Sequence, residues 1–299
     1  MRRVAWVWVL LVGVGWGQKV AVTFDDLPLN GESLPAGVTR ERIARDVVKI
    51  LKKRHVPPMY GFINAGKLEG DADGAEALKV WASREPVGNH TYTHMNLSEN
   101  TVELFEKNVE QNEPALELLS LPREDWHWFR YPYLVEGDTV EKRRAVREFL
   151  TKRGYRIAEV TMDWEDYLWN AVAARCEEKH DAKAMEWLHT SYLSTASTYI
   201  DFDRALAKQV YGREINHVLL LHLGAYSSTI LPEMFDLLKK KGLQVVTLEE
   251  AESDPVYGQD PDVGVKGGGS LTDLMLIAKG MKFPEVEEKP YKELNDICR

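Results

Sequence analysis

The chain has 299 residues, and its 47 acidic side chains outnumber the 38 lysines and arginines, which gives a net charge of −9 at neutral pH. This length is enough for one large α/β barrel or for two modest domains with a substantial core. An acidic chain without a basic stripe alternating with aromatic residues binds polyanions poorly. The composition therefore excludes nucleic acid as a partner and leaves neutral or cationic substrates open.

Residues 1–17 have the pattern of a secretory signal peptide. Arg2 and Arg3 precede an apolar run over residues 4–14, and small residues follow ahead of Gln18. The apolar run is shorter than the roughly 20 residues that cross a bilayer as a helix. We therefore expect cleavage and export to the periplasm or the medium, with no stable membrane span in the mature chain.

Short apolar or β-branched runs alternate with segments of helical periodicity over most of the chain. This alternation predicts a parallel sheet, closed or open, with helices between its strands. The predicted strands cover residues 19–24, 59–64, 86–89, 128–131, 156–162, 216–222 and 243–247, and the predicted helices cover residues 40–54, 75–83, 99–119, 139–153 and 231–241.

Two segments depart from this alternation. Residues 167–212 are mostly helical and are interpreted as an inserted helical pair, and residues 251–299 are rich in turns with one more short helix. We predict one domain over residues 18–250, with residues 251–299 as an extension packed on it. Cys176 and Cys298 either form a disulfide that pins the C-terminus or remain two free thiols, because geometry decides the pairing.

Five polar motifs lie just past the ends of predicted strands. In barrels and doubly wound sheets the functional site is built at the carboxyl ends of the strands. The motifs are therefore expected to converge on one pocket. They are TFDD at residues 23–26, HTYTH at residues 90–94, RYPY at residues 130–133, DWED at residues 163–166 and LLH at residues 220–222.

Two of these motifs indicate a metal site. Asp25 and Asp26 are adjacent carboxylates, and turning both toward one pocket causes repulsion that a metal ion or an arginine would relieve. His90 and His94 are four residues apart, so one helical turn or a tight loop presents both imidazoles on one side. Two histidines and one aspartate leave positions open for water and substrate, as in a catalytic site, and zinc is the default metal.

The five motifs, in this order, resemble those of the polysaccharide deacetylase family, carbohydrate esterase family 4, over residues 19–250. The resemblance implies a distorted (β/α) barrel that hydrolyses acetyl groups from N-acetylated sugars with the help of a divalent metal. It implies that Asp26, His90 and His94 bind this metal, for which we expect zinc or alternatively cobalt. It implies that Asp25 is the general base for attack by metal-bound water and that Arg130 pairs with Asp25.

The resemblance also assigns the residues that handle the leaving group. His222 would protonate the departing amine, with Asp166 as its carboxylate partner and Asp163 as the alternate; such a pair raises the pKa of the imidazole. The backbone amide of Tyr133 would stabilise the oxyanion, and Leu220 would contact the acetyl methyl group. Among the tryptophans, Trp164 or Trp169 is predicted to stack on a sugar ring.

Three residues depart from the family pattern: Leu27 and Leu134 stand where glycine is usual, and Tyr167 stands where tryptophan is usual. None removes a reacting group, so they bear on substrate preference more than on reaction type. The expected substrate is an N-acetylated glycan such as a chitin-like chain, peptidoglycan or an exopolysaccharide. The alternatives are an O-acetyl esterase or small-amide hydrolase that uses the same site, and a catalytically silent glycan-binding protein.

Overall fold

The computed structural model describes residues 17–31, 33–120 and 125–299. The predicted signal peptide lies outside the described residues except for Gly17. Within the described ranges, no helix has both the length and the apolar character that crossing a membrane requires.

Within the described residues, seven parallel strands form one sheet, as the alternation predicted. The strands are β1 (Gln18–Leu27), β2 (Gly61–Ile63), β3 (Val87–Asn89), β4 (Trp128–Phe129), β5 (Arg156–Ile157), β6 (His217–His222) and β7 (Leu243–Val246). The sheet order is β5-β4-β3-β2-β1-β6, and β7 pairs with the first residues of β1. The central strand β1 is buried from Val20 to Leu27, which fits its largely apolar run over residues 20–24.

The sheet closes into an irregular barrel through the chain that continues from β5. The backbone amides of Thr161 and Met162 donate to the carbonyl of Val218 in β6, and the amide of Leu220 donates to the carbonyl of Met162. Because β5 also pairs with β4, these bonds join the two ends of the strand order. The predicted distorted (β/α) barrel is confirmed.

Ten α-helices surround the sheet within the described ranges. Several begin at a residue whose side chain accepts the backbone amide three positions later, among them Thr39, Asp71, Thr101, Thr139 and Asp181. Such caps satisfy amides that the first helical turn leaves unpaired, so they fix the helix starts. The helices are α1 (Arg40–Arg54), α2 (Ala72–Ala82), α3 (Val102–Leu119), α4 (Val140–Lys152), α5 (Leu168–Glu178), α6 (Ala182–Tyr211), α7 (Ser227–Lys240), α8 (Leu248–Ala251), α9 (Leu271–Ala278) and α10 (Tyr291–Asp296).

The inserted helices α5 and α6 belong to the main hydrophobic core. Trp169 of α5 and Leu188 and Tyr192 of α6 are buried in the same apolar cluster as Val22 and Phe24 of β1. Burying side chains of this size stabilises each by about 1.5–3 kcal/mol relative to exposure. The insertion is therefore an integral layer of the barrel.

The C-terminal extension packs against this insertion. Cys176 of α5 forms a disulfide with Cys298, with a Cα–Cα distance of 5.1 Å. Beside it, the guanidinium of Arg175 donates to the carbonyls of Leu294 and Ile297, at 3.1 Å each. The pairing that the sequence left open is thus formed, and it joins the chain end to the helix that follows the fourth motif.

Candidate active site

A cavity of about 190 Å³ opens at the carboxyl ends of the strands, where the five motifs meet. Most of the predicted site residues line this cavity. Arg130 and Asp166 do not line it, but they hydrogen-bond to the lining residues Asp25 and His222. The lining residues are Asp25, Asp26, Asn30, His90, His94, Tyr133, Leu134, Tyr167, Leu220 and His222.

The register between β1 and β6 places two of the candidate catalytic residues side by side. Asp25 pairs with His222 across the parallel ladder, and Thr23 pairs with Leu220. Successive side chains alternate between the faces of a strand, so Leu220 lies on the same face of β6 as His222. The strand pairing alone therefore brings a carboxylate, an imidazole and an apolar side chain to one edge of the cavity.

Asp25 is almost fully buried and has a single cationic partner among its hydrogen-bond contacts. The Nη1 atom of Arg130 lies 3.3 Å from Oδ1 and 3.4 Å from Oδ2 of Asp25. Burial raises the pKa of Asp25 to about 6, although the charge of Arg130 opposes this rise. The carboxylate is thus a stronger base than an exposed aspartate, while it remains ionised at neutral pH.

Arg130 is held from several directions. Its Nε donates to the carbonyl of Ala158 at 2.6 Å, and its Nη2 donates to the hydroxyl of Thr23 at 3.1 Å. Its guanidinium also lies over the ring of Phe62, 4.7 Å from the ring centre. The orientation of this arginine, and with it the salt bridge to Asp25, is fixed by the barrel interior.

Asp26, His90 and His94 form the predicted metal set. Their ligand atoms all lie within 4.8 Å of one another. Oδ1 of Asp26 is 3.3 Å from Nε2 of His94 and 4.0 Å from Nε2 of His90. One carboxylate oxygen and two imidazole nitrogens are donors that suit zinc and related divalent cations.

The protonation of this set also fits a metal. Nδ1 of His90 lies 2.8 Å from the carbonyl of Arg130, an acceptor, so Nδ1 carries the proton and Nε2 keeps its lone pair. Burial lowers the pKa of both His90 and His94, which keeps the rings neutral. Burial opposes ionisation of Asp26, but the charge of the nearby Lys67 ammonium favours it, and the pKa of this carboxyl lies well below its usual range.

The two histidines lie on a tight loop rather than on a helix. Thr91 and His94 both have left-handed backbone conformations, with φ of 62° and 56°. The side chain of Asn89 accepts the amide of Thr91, and the side chain of Asn108 accepts the amide of Thr93. These side chains supply the partners that a helix would have provided, so the loop holds both rings toward Asp26.

His222 and Asp166 form a close pair. Nδ1 of His222 lies 2.7 Å from Oδ1 of Asp166, and the backbone amide of His222 donates to Oδ2 at 3.0 Å. Burial lowers the pKa of an imidazole, but the charge and hydrogen bond of Asp166 overcome this and raise the pKa of His222 to about 9. The alternate partner, Asp163, instead accepts the amide of Glu165 at 2.7 Å.

Tyr133 lies at the rim of the cavity on a strained turn. Tyr133 and Leu134 have φ of 59° and 54°, a conformation that costs roughly 1–2 kcal/mol for a residue with a side chain. The Tyr133 ring packs edge-on against His94, with 4.3 Å between ring centres, and its side chain is 59% exposed. The turn thus carries the backbone amide that the family resemblance assigns to the oxyanion.

Gly268 of the C-terminal extension supports this turn. A Cβ atom added at Gly268 would lie 1.8 Å from the carbonyl oxygen of Tyr133, so any side chain at this position would have to displace the turn.

We expect Gly268→Ala to lower kcat at least about tenfold because a displacement near 1 Å misplaces catalytic groups. Steady-state acetate release measures this. Gly267→Ala is the matched control, since an added Cβ there meets nothing within 4 Å; equal activity of the two variants would contradict the prediction.

The prediction that Trp164 contacts substrate is wrong. Trp164 is fully buried in the main core and packs edge-on against Tyr192 of α6. Trp169, its alternate, is equally buried and donates its indole N–H to Ser191. Because both rings are buried in this core, neither face is available to a sugar.

The structure shows two site residues that the sequence did not indicate, and it places a third, Tyr167, beside His222. Asn30 and Lys67 both donate to the carboxylate of Asp26, at 2.7 and 3.1 Å. Tyr167 is 38% exposed, and its ring lies 5.2 Å from that of His222. Tyr133 and Tyr167 are therefore the tyrosines that line the cavity. The position of Tyr167 directly after Asp166 is the sequence signal for its place in the site.

Leu27, by contrast, is fully buried in the core, away from the cavity.

The chain matches a family model in sequence and several solved structures in fold. Residues 15–158 match the family model of polysaccharide deacetylases. The chitin deacetylase of Colletotrichum lindemuthianum has the same fold, with 20% identity, a TM-score of 0.54, and coverage of 79% of this chain and 88% of that one. No curated protein matches the chain.

Two further solved structures are similar at lower scores. A peptidoglycan deacetylase from Bacillus subtilis shares 17% identity over 79% of this chain and 92% of that one, with a TM-score of 0.49. A pseudoenzyme of carbohydrate esterase family 4 from Bacillus anthracis shares 16% identity over 79% of this chain and 65% of that one, with a TM-score of 0.46. The match over residues 15–158, together with the barrel and the order of the five motifs, confirms the predicted resemblance to the polysaccharide deacetylase family.

Proposed function

We propose that this protein is an exported, divalent-metal-dependent hydrolase that removes acetyl groups from N-acetylated amino sugars of a glycan. The observation that carries the proposal is the composition of one small cavity. It combines an arginine-paired buried carboxylate, an aspartate-paired imidazole and an Asp-His-His set. Retention of all these groups favours an enzyme over a silent binding protein.

A divalent cation held by Asp26, His90 and His94 would supply Lewis acidity toward a water molecule and the acetamide carbonyl. Asp25 is adjacent to the metal set without belonging to it, since its carboxylate is engaged by Arg130. Its raised pKa suits it to accept the proton of the attacking water. Arg130 keeps the carboxylate oriented and limits the rise in its pKa.

His222 acts on the leaving group. Amine departure from a tetrahedral centre requires a proton, because the amide anion is a poor leaving group. Asp166 holds Nδ1 of His222, so the ring presents Nε2 to the substrate and remains protonated at neutral pH. The backbone N–H of Tyr133 is assigned to the oxyanion, and Leu220 to the acetyl methyl group.

The decisive experiment is acetate release from three substrates, namely chitin oligomers, peptidoglycan and acetylated xylan, with and without a chelator. We expect release from an N-acetylated substrate, loss of activity with chelator, and recovery on addition of zinc or cobalt. Release from xylan alone would instead identify an O-acetyl esterase. Binding of a glycan without any release, after metal addition, would identify a silent binding protein and overturn the proposal.

A further inference from the structure

Lys67 places a positive charge directly on the metal set. It comes from the short 3₁₀ turn Ala65–Leu68 that follows β2. Its Nζ lies 3.1 Å from Oδ1 of Asp26, 3.1 Å from the carbonyl oxygen of Asp26 and 3.4 Å from the carbonyl oxygen of Leu29. The side chain is about one-third exposed, and these three acceptors hold its ammonium group beside Asp26.

The oxygen that Lys67 contacts is the one that faces the histidines. Oδ1 of Asp26 is also the atom 3.3 Å from Nε2 of His94. A divalent cation bound by this set therefore shares a ligand atom with a lysine ammonium. Like charges this close repel strongly in a partly buried site, where the effective dielectric constant is far below that of water.

Lys67 could act on the metal site in two opposite ways. As a hydrogen-bond donor it orients Asp26, which would favour metal binding. As a charge it opposes a second cation, which would weaken metal binding. Asn30 separates the two effects, because its neutral amide donates to Oδ2 of the same carboxylate at 2.7 Å. Orientation of Asp26 is thus supplied by a group that carries no charge.

We propose that Lys67 is a resident counter-ion of Asp26 that determines metal affinity: it stabilises the metal-free site and weakens binding of the divalent cation. This rests on the proposed function only in assigning Asp26, His90 and His94 to a metal. The ammonium has two backbone carbonyl acceptors besides Oδ1. It can therefore give up the carboxylate bond to a metal while it keeps its place in the loop.

The test compares three variants in the full chain stripped of metal. Isothermal titration with Zn²⁺ and Co²⁺ measures affinity, and thermal unfolding measures the metal-free stability. We expect Lys67→Met to bind metal at least about tenfold more tightly and to unfold at lower temperature without metal. Lys67→Arg keeps the charge and should bind like the wild type. Asn30→Ala loses orientation without changing charge and should bind more weakly.

The outcomes separate this inference from the proposed function. If the wild type binds neither metal, the metal dependence itself fails. If the wild type binds metal and Lys67→Met binds equally or more weakly, only the role of Lys67 is overturned, and Lys67 orients Asp26 instead. Lys67→Gln provides the same charge comparison with a polar side chain if the methionine variant does not fold. The visible absorption spectrum of bound Co²⁺ checks that all variants use the same ligands.

Discussion

Replacing Asp25 with asparagine is expected to lower kcat for acetate release by about a thousandfold, within the range that a positioned general base contributes. Asparagine matches the carboxylate in size but cannot accept a proton from water. Arg130 would keep its bonds to Thr23 and Ala158, so the cavity should retain its shape. Metal affinity should change little, because the ligand set is Asp26, His90 and His94.

The control for Asp25→Asn is metal titration on the same protein sample. Unchanged affinity together with lost activity would assign Asp25 to proton transfer rather than to metal binding. The wild-type pH profile gives a second check: Asp25 must be ionised, its pKa is raised to about 6, and a bound cation lowers it. The acid limb of kcat/KM should therefore lie at or below about pH 6. Activity within tenfold of the wild type in the asparagine variant would refute the base assignment.

Replacing His222 with asparagine is expected to lower hydrolysis of an N-acetyl substrate by about a hundred- to ten-thousandfold. The asparagine amide can still donate to Asp166, but it cannot protonate a departing nitrogen. An aryl acetate ester needs no such proton, because its phenolate is a good leaving group. The loss on 4-nitrophenyl acetate should therefore be much smaller than the loss on the amide, and kcat measured on both substrates tests this.

The alkaline limb of the pH profile reports the same residue. His222 must be protonated to act, so activity should fall as pH rises through its pKa, which is raised to about 9 and which a bound cation lowers. Asp166→Asn removes the largest contribution that raises this pKa, so the pKa of His222 should fall. The alkaline limb should move to lower pH in that variant. Equal losses on amide and ester, or an unmoved limb, would argue against His222 as the acid.

The helices could be predicted closely from the sequence, and the strands less so. Helix α1 has the predicted bounds because Thr39 caps its start and its apolar residues follow one face. Strand β2, predicted over residues 59–64, keeps only three residues of regular pairing. Apolar runs show where a chain enters a sheet, but the curvature of a closed barrel decides how many residues pair, and it depends on neighbouring strands.

The residues of the candidate site could likewise be predicted only in part from the sequence. The motif residues converge because each motif lies at the carboxyl end of a strand or just past it, and parallel strands bring these ends to one edge. The prediction that Trp164 contacts substrate is wrong because proximity to a motif does not reveal which side of the backbone faces the core. Lys67 and Gly268 reach the site from segments with no motif, and only the folded chain shows those contacts. The pairing of Cys176 with Cys298 likewise needed the distance between them.

The disulfide has a consequence for the integrity of the barrel under attack by proteases. It joins two cysteines that are 122 residues apart, and the enclosed chain includes α6, β6 with His222, and α7. A single cut within this stretch leaves both fragments covalently joined. A nicked molecule would therefore keep the strand that carries His222, and would separate into two pieces only after reduction.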